Sequence, residues 1–255
     1  MILFTIRKNS SDLLIRASFV ITILFVLVVF LFADVEVNNL HSFRITFSNF
    51  SIAADSLLLQ FGFIFPFIAI LGFSKTFIEL LDSSSLIFSK PISRTEFILK
   101  NTLGVFLLTF LYCICTCSLF LILFLIKGSA IPYQFILALS FLPLGILALY
   151  SLIIFLSLTF ESYAVTVFVT FLYLAVIHPV LINPEMAKVV FSIENLDYIK
   201  KIKILKYILP NVSEGISVMK DVFRGAFEVQ IIFEVLLSLV PVQILSVYLL
   251  RKKEF

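Results

Sequence analysis

Charged residues are scarce in this chain, which excludes an ordinary soluble domain. Asp, Glu, Lys and Arg make up 14% of the 255 residues, whereas 61% are hydrophobic and the mean hydropathy is +1.16. Tryptophan is absent, so the 8 tyrosines and 31 phenylalanines must supply an aromatic belt at the membrane surface. The net charge of +3 is too small to argue for nucleic acid. The composition therefore predicts an integral membrane protein without a nucleic-acid partner.

The chain also lacks the motifs of a catalytic or nucleotide-binding protein. It has 7 glycines and no G-x-x-x-x-G-K sequence, so we expect ATP hydrolysis only in another polypeptide and no enzyme activity in this one. His41 and His178 lie far apart, and neither belongs to an H-E-x-x-H or paired-carboxylate pattern. They therefore predict neither a metal site nor a general base.

The three cysteines, Cys113, Cys115 and Cys117, lie within one apolar run. Two residues along a helix correspond to a turn of about 200°, so Cys113 and Cys117 share a face and Cys115 points away. A tetrahedral metal site needs four ligands, and no fourth lies nearby. We therefore interpret the three thiols as small packing residues and expect no metal site.

Hydrophobic runs predict an all-α, single-domain fold with six membrane spans. Each run approaches the length of about 20 residues that crosses the hydrocarbon core of a bilayer. A cleaved signal peptide is the competing interpretation of the first run, but the run is longer than a usual signal core and ends without a small-residue cleavage pattern. Within the domain 1–255, the predicted spans cover residues 17–33, 57–77, 103–126, 135–160, 163–182 and 229–250.

Polar segments beside the spans predict amphipathic helices at the membrane surface. From Met1 to Arg16, apolar residues alternate with Arg7 and Lys8, and we expect a short interfacial helix there. The longest polar segment, 183–228, contains a second pattern of this kind with apolar residues opposite four lysines. These lysines are candidate contacts for lipid headgroups or for an extracytoplasmic protein, and the simpler alternative is a solvated helix face. They are Lys200, Lys201, Lys203 and Lys206, and a further helix is expected from Ser217.

Basic residues favour an orientation with both termini in the cytoplasm. Six spans place the termini on the same side, which carries ten Lys and Arg residues against nine on the other. The short loops favour this side as cytoplasmic, and the nearly equal totals arise from the long segment 183–228, which is expected to be extracytoplasmic. We expect a multi-pass protein of the inner (cytoplasmic) membrane.

The segment between the second and third spans, residues 79–101, has a more specific pattern than a simple connection. Clusters of apolar and charged residues alternate, and Pro91 interrupts the helical pattern. Ser93 can cap a new helix, and Glu96 follows it at the spacing of a capping box. We expect an amphipathic helix, a bend at the proline and a capped helix that leads into the third span. Such a segment presents a charged surface to a soluble partner.

This segment resembles the first cytoplasmic loop of ABC type-2 transporter permeases, and the pattern of six spans extends the resemblance along the chain. Two positions depart from the family pattern: Ser83-Ser84-Ser85 replaces glycine or charge, and Leu99 replaces a frequent glycine. In that family the loop docks as a coupling helix into a groove on the ATP-hydrolysing subunit. The matching residues are Glu79, Leu86 to Ser89, Lys90-Pro91-Ile92-Ser93-Arg94, Phe97, Leu99 and Lys100.

The resemblance implies a permease subunit that works as a homodimer with two separate ATPase subunits. ATP and Mg are then bound by those subunits, and this chain binds no cofactor. Arg94 offers a bidentate fork to acidic groups of the partner, whereas the alternative is a positive charge that only anchors the topology. The residues assigned to coupling are Glu79, Lys90, Pro91, Ile92, Ser93, Arg94 and Phe97.

Glu234 lies about one turn into the sixth predicted span. A carboxylate in a span is costly and often functional, so Glu234 is a candidate residue of the transport path or of an ion pair. The alternative is a structural role in which the side chain faces the bundle or reaches the membrane surface.

Two other functional classes stay open. An ATP-independent secondary transporter or channel is expected to show inverted repeats or several charges within the spans, and the sequence shows neither pattern. A membrane scaffold would instead use segment 183–228 to recruit an extracytoplasmic protein.

Overall fold

The structure, a computed structural model, consists mainly of α-helices. It describes residues 1–39, 42–48, 50–83, 87–88, 92–177, 209–226 and 229–253. A π-helical turn, Tyr173–Ile177, continues α7. The elements are α1 (Ile2–Ser11), α2 (Leu13–Phe32), β1 (Asp34–Asn39), β2 (Ser42–Phe47), β3 (Phe50–Ala53), α3 (Ala54–Asp82), α4 (Arg94–Ile126), α5 (Tyr133–Leu139), α6 (Leu142–Phe160), α7 (Tyr163–Leu172), α8 (Val212–Arg224) and α9 (Val229–Lys252).

Four helical stretches in the described part of the chain are long and apolar enough to cross a membrane. They are α2, α4, the 28-residue stretch Tyr133–Phe160 formed by α5 and α6, and α9. Each reaches the length of about 20 residues that a bilayer requires. Helix α3 has 29 residues, and α7 with its π-helical turn forms a shorter apolar helix. This is the architecture of a helical membrane protein.

Helix α6 lies at the centre of the bundle. It packs against α3, α4, α8 and α9, and most of its side chains are buried. The Tyr150 ring makes edge-to-face contacts with Phe73 and Phe77 of α3, at centroid distances of 5.5 Å and 6.3 Å. Aromatic packing of this kind joins α3 to α6, although the two helices are separated by α4 and α5 in the chain.

A three-stranded antiparallel sheet connects α2 to α3, so the expectation of a purely helical fold is wrong at this place. The strands have the order β1-β2-β3, with Val35 opposite Ile45 and Ile45 opposite Ile52. Phe43 and Ile45 are buried, and the Phe43 ring lies 4.8 Å from the Phe135 ring of α5. The polar segment between α2 and α3 therefore packs onto the helical bundle.

Helix boundaries differ from the predicted spans, and α2, α3 and α4 each begin before the predicted start of their span. The first span helix begins at Leu13 instead of residue 17, because Asp12 has an extended backbone, with ψ 136°. The Asp12 carboxylate also accepts a hydrogen bond from the Leu14 amide at 2.9 Å, which caps the new helix. The fourth predicted span is divided into α5 and α6 at residues 140–141. The short turn between α6 and α7 is confirmed, with Glu161 at φ 52°.

Helix α8 crosses the start of α6 at two glycines. A Cβ atom on Gly215 would lie 2.8 Å from the Cα atom of Gly145, so the two backbones leave no room for a side chain. Phe223 of α8 is also buried, and its ring lies 6.4 Å from the Phe135 ring of α5. The helix that was expected to begin at Ser217 begins at Val212 instead. It lies against the bundle.

We expect Gly215→Ala to destabilise the protein by about 1–3 kcal/mol, the usual cost of overpacking. The new methyl group would meet the backbone of α6, which cannot rotate away. Ser217→Ala is the control, because among the described residues the Ser217 hydroxyl bonds only to the Glu214 carbonyl of its own helix. We expect its effect to stay within about 0.5 kcal/mol. Size-exclusion chromatography after heating in detergent measures the midpoint of heat unfolding for both variants. Equal midpoints would contradict the close approach of Gly215 to Gly145.

Candidate functional site

Helix ends that are distant in sequence meet at one end of the bundle, which we call the charged end. It comprises α1, the end of α3, the start of α4, the turn between α6 and α7, and the end of α9. Ion pairs connect these elements, and most of the residues assigned to coupling lie among them. The pairs are Lys8 with Glu79 at 3.2 Å, Lys75 with Asp12 at 3.6 Å and Lys253 with Glu161 at 2.5 Å.

Helix α4 begins at the charged end with the expected cap. The Ser93 Oγ atom accepts a hydrogen bond from the Glu96 amide at 3.1 Å, which confirms Ser93 as the capping residue. Helix α4 has 33 residues and is about 50 Å long, so its first turns project beyond a hydrocarbon core of about 30 Å. There Lys100 donates a hydrogen bond to the Glu96 carboxylate and lowers its pKa. The start of α4 is therefore an ordered, charged surface.

Arg94 binds the C-terminal end of the last helix. Its Nη1 atom donates hydrogen bonds to the carbonyl oxygen of Leu250, at 3.0 Å, and to that of Arg251. The last carbonyl groups of a helix have no partner within the helix, and a cation there also meets the negative end of the helix dipole. The guanidinium carbon lies 5.9 Å from the centre of the Phe88 ring. Arg94 thus joins segment 79–101 to α9.

Two apolar residues assigned to coupling, Ile92 and Phe97, pack inward. Phe97 is fully buried, and its ring lies 6.3 Å from that of Phe77 in α3 and 5.4 Å from that of Phe88. Ile92 is partly buried against the same core. Because protein interiors are densely packed, a displacement at the start of α4 must also move the end of α3.

A chain of buried polar side chains ties α1 to α3 and α4. Thr5 donates a hydrogen bond from Oγ1 to Asn101 Oδ1 at 2.7 Å. Asn9 donates from its amide to the Thr5 carbonyl at 2.9 Å and accepts from Thr76 Oγ1 at 2.5 Å. Gly104 permits this approach, since a Cβ atom there would lie 2.8 Å from the Thr5 Cβ atom. The buried side of α1 is therefore polar and is bonded to two neighbouring helices.

Sequence analysis missed this polar chain. The available signal was the spacing of four residues between Thr5 and Asn9, which places both side chains on one face of a helix. Their partners in α3 and α4 could not be identified by spacing, because Asn101 lies 96 residues from Thr5 along the chain.

A second polar contact that sequence analysis missed joins three helices inside the bundle. Gln243 of α9 donates from Nε2 to Ser151 Oγ of α6 at 2.8 Å and to Thr102 Oγ1 of α4 at 3.3 Å. Interhelical hydrogen bonds in membranes contribute about 0.6–2 kcal/mol. The signal in the sequence was a single glutamine in an apolar run.

The other sequence-predicted residues lie elsewhere. Glu234 is partly exposed near the start of α9 and accepts a hydrogen bond from Gln230 at 3.0 Å, and its role in a transport path stays a prediction. Six candidates lie outside the described residues: Lys90, Pro91, Lys200, Lys201, Lys203 and Lys206.

The cysteines occupy the predicted faces of α4. Cys113 is buried with its Sγ atom 3.5 Å from the Leu139 carbonyl, and Cys117 lies 3.7 Å from the Ile136 carbonyl. Cys115 is exposed on the other side. This confirms that Cys113 and Cys117 share the face that packs on α5. Among the described residues, no group of three or more His, Cys, Asp or Glu side chains is arranged to hold a metal ion.

We expect Thr5→Val to reduce stability by about 1–3 kcal/mol, because the substitution keeps the shape of the side chain but leaves Asn101 Oδ1 buried without its donor. Thr159→Val is the matched control, since Thr159 is exposed and its hydroxyl donates to the Phe155 carbonyl of its own helix. Heating in detergent and limited proteolysis of the N-terminus compare the two variants. If Thr5→Val is as stable as Thr159→Val, the polar chain does not hold α1 in place.

At the charged end, segment 79–101 is thus bonded to α1 through Glu79 and to α9 through Arg94. No protein-family model, curated protein or solved structure matches this chain. The geometry of the charged end and the residue pattern of segment 79–101 are therefore the features that bear on function.

Proposed function

We propose that this chain is the permease subunit of an ABC type-2 transporter, working as a homodimer with two ATPase subunits that bind ATP and Mg. The observation that carries the proposal is the bonding of segment 79–101 to both terminal helices, through the ion pair of Glu79 with Lys8 and the hydrogen bond from Arg94 to Leu250. A coupling segment needs such connections, because a force applied to it must reach the helices that form the transport path.

The proposed mechanism is conformational. Closure of the two ATPase subunits displaces the segment at Ile92 and Ser93, and the displacement passes to α3 through the packing of Phe97 on Phe77. Arg94 carries it to the end of α9 at the same time. For ATP to drive this change, it must bind one arrangement of the complex more tightly than the other.

We also propose six spans, in which α3 and α7 cross the membrane beside the four longer apolar stretches. The make-up of the charged end supports six spans, because this end contains the N-terminal helix, the α3–α4 connection, the α6–α7 turn and the end of α9. Alternating spans require these elements to lie on one side. We place that side in the cytoplasm and the sheet on the other face of the inner membrane.

Labelling of single cysteines tests the orientation. In a chain with Cys113, Cys115 and Cys117 replaced by alanine, we expect Ser48→Cys to react with a membrane-impermeant maleimide in spheroplasts, because Ser48 lies at an exposed turn of the sheet. Ser10→Cys, exposed at the charged end, should react only after permeabilisation. The reverse pattern would place the charged end outside and remove the ATPase from the proposal.

Affinity purification from native membranes tests the coupling role. We expect a Walker-type ATPase to co-purify with the wild-type chain and to be lost with Arg94→Glu, which reverses the charge of the segment. Arg94→Lys keeps the charge but not the fork geometry, so we expect partial retention. Arg44→Glu is the charge-reversal control, because Arg44 is exposed on the sheet, outside the segment.

Arg94 also binds α9, so each variant must first elute as a folded species at the wild-type volume. Loss of the ATPase from folded Arg94→Glu but not from folded Arg44→Glu supports the proposal. If no ATPase co-purifies with folded wild-type protein, the permease proposal fails, and a secondary transporter, channel or scaffold becomes the leading alternative.

A further inference from the structure

Helix α1 exposes apolar side chains on the side that faces away from the bundle. Leu3 is 81% exposed and Phe4 is 50% exposed, while Leu13 just after the helix is 77% exposed. The side of α1 toward the bundle carries the polar Thr5 and Asn9. This is the reverse of an amphipathic helix on a soluble protein, and it leaves the apolar side chains for the acyl chains of a membrane.

Two arginines lie beside these apolar residues. Arg7 is exposed one turn after Leu3, and no acidic side chain of the described residues pairs with it. Arg16 is exposed too, and its Nε atom donates to the Ser10 carbonyl at 3.0 Å, which draws the guanidinium back over the end of α1. The remaining N–H groups of both guanidinium groups are available to an external acceptor.

Two nearby carboxylates are already paired with lysines. Asp12 lies 3.6 Å from Lys75, and Glu79 lies 3.2 Å from Lys8. The two arginines therefore add positive charge to this surface that these two carboxylates do not neutralise.

We propose that Leu3, Phe4, Arg7 and Arg16 form a binding surface for anionic phospholipids of the adjacent leaflet. The two apolar side chains enter the boundary between headgroups and acyl chains, and the guanidinium groups donate hydrogen bonds to headgroup phosphates. The charges of the two partners are complementary, and the guanidinium fork can donate to two oxygens of one phosphate.

Lipid binding to α1 also affects the neighbouring helices, because the opposite side of α1 is bonded to them through the polar chain. Thr5 is bonded to Asn101 of α4, and Asn9 is bonded to Thr76 of α3. A ligand that binds only the folded arrangement stabilises it. Anionic lipid on α1 therefore stabilises the charged end as a whole, and this inference holds whether or not an ATPase is the partner.

The absence of tryptophan from the chain permits a direct test. In Phe4→Trp, the new side chain is the only tryptophan, and lipids that carry bromine on the acyl chain quench its fluorescence on contact. Two vesicle preparations contain phosphatidylcholine with the same minor fraction of phosphatidylglycerol. Phosphatidylcholine is brominated in one preparation and phosphatidylglycerol in the other. We expect the quenching to show that phosphatidylglycerol is enriched beside the tryptophan about tenfold over its bulk fraction. Two arginines near an anionic headgroup supply an attraction of this order.

Arg7→Gln combined with Arg16→Gln should reduce this enrichment to the bulk ratio, whereas Arg44→Gln, on the exposed face of the sheet, should leave it unchanged. Raising the salt to 1 M should also reduce it, because the Debye length falls to about 3 Å. Leu3→Trp repeats the measurement at a neighbouring position, so that one poorly folded reporter cannot decide the result.

Two results would overturn the proposal. Quenching by the two brominated lipids in proportion to their bulk fractions, in both reporters, means that α1 does not select anionic lipid. Absence of quenching by either lipid means that the apolar side of α1 lies in water. A rise in the midpoint of heat unfolding with phosphatidylglycerol, absent in the double arginine variant, supports the link to stability. None of these measurements requires an ATPase, so their failure is distinct from failure of the proposed transporter function.

Discussion

The hydrogen bonds of Thr5 to Asn101 and of Asn9 to Thr76 hold the charged end together. All four side chains are buried, in a part of the molecule where the surrounding helices exclude water. An unpartnered polar group in such a place costs several kcal/mol, so α1 cannot leave the bundle without a large penalty. The position of α1 in turn determines that Lys8 meets Glu79 and that the apolar residues of α1 face outward.

Three residues of segment 79–101 that were assigned to coupling make contacts within this chain. Ser93 caps α4, and Arg94 binds the last carbonyls of α9. Phe97 packs against Phe77 of α3. A structural role of this kind does not compete with coupling. Densely packed elements transmit a displacement because they cannot deform gradually, and a residue that holds a distant helix end by hydrogen bonds passes the displacement to that helix.

Local patterns predicted the local features well. The cap at Ser93, the tight turn at Glu161 and the shared face of Cys113 and Cys117 each depend on residues within a few positions of one another. The sheet after α2 was missed, although Phe43 and Ile45 alternate with polar residues in the period of a strand. Its polar composition resembles that of a membrane loop, and the apolar surface on which the strand packs is provided by Phe124 of α4 and Phe135 of α5, which are distant in the sequence.

The sequence by itself determined that this is a helical membrane protein, because hydropathy and helix capping depend on neighbouring residues alone. It also determined that the charged segment 79–101 lies between two apolar runs. Only the tertiary structure decided what these residues contact. Arg94 and Leu250 are 156 residues apart, and Thr5 and Asn101 are 96 residues apart. No periodicity in the chain encodes such pairs, since they arise from the order and rotation in which the helices pack and from the close approach that Gly104 permits.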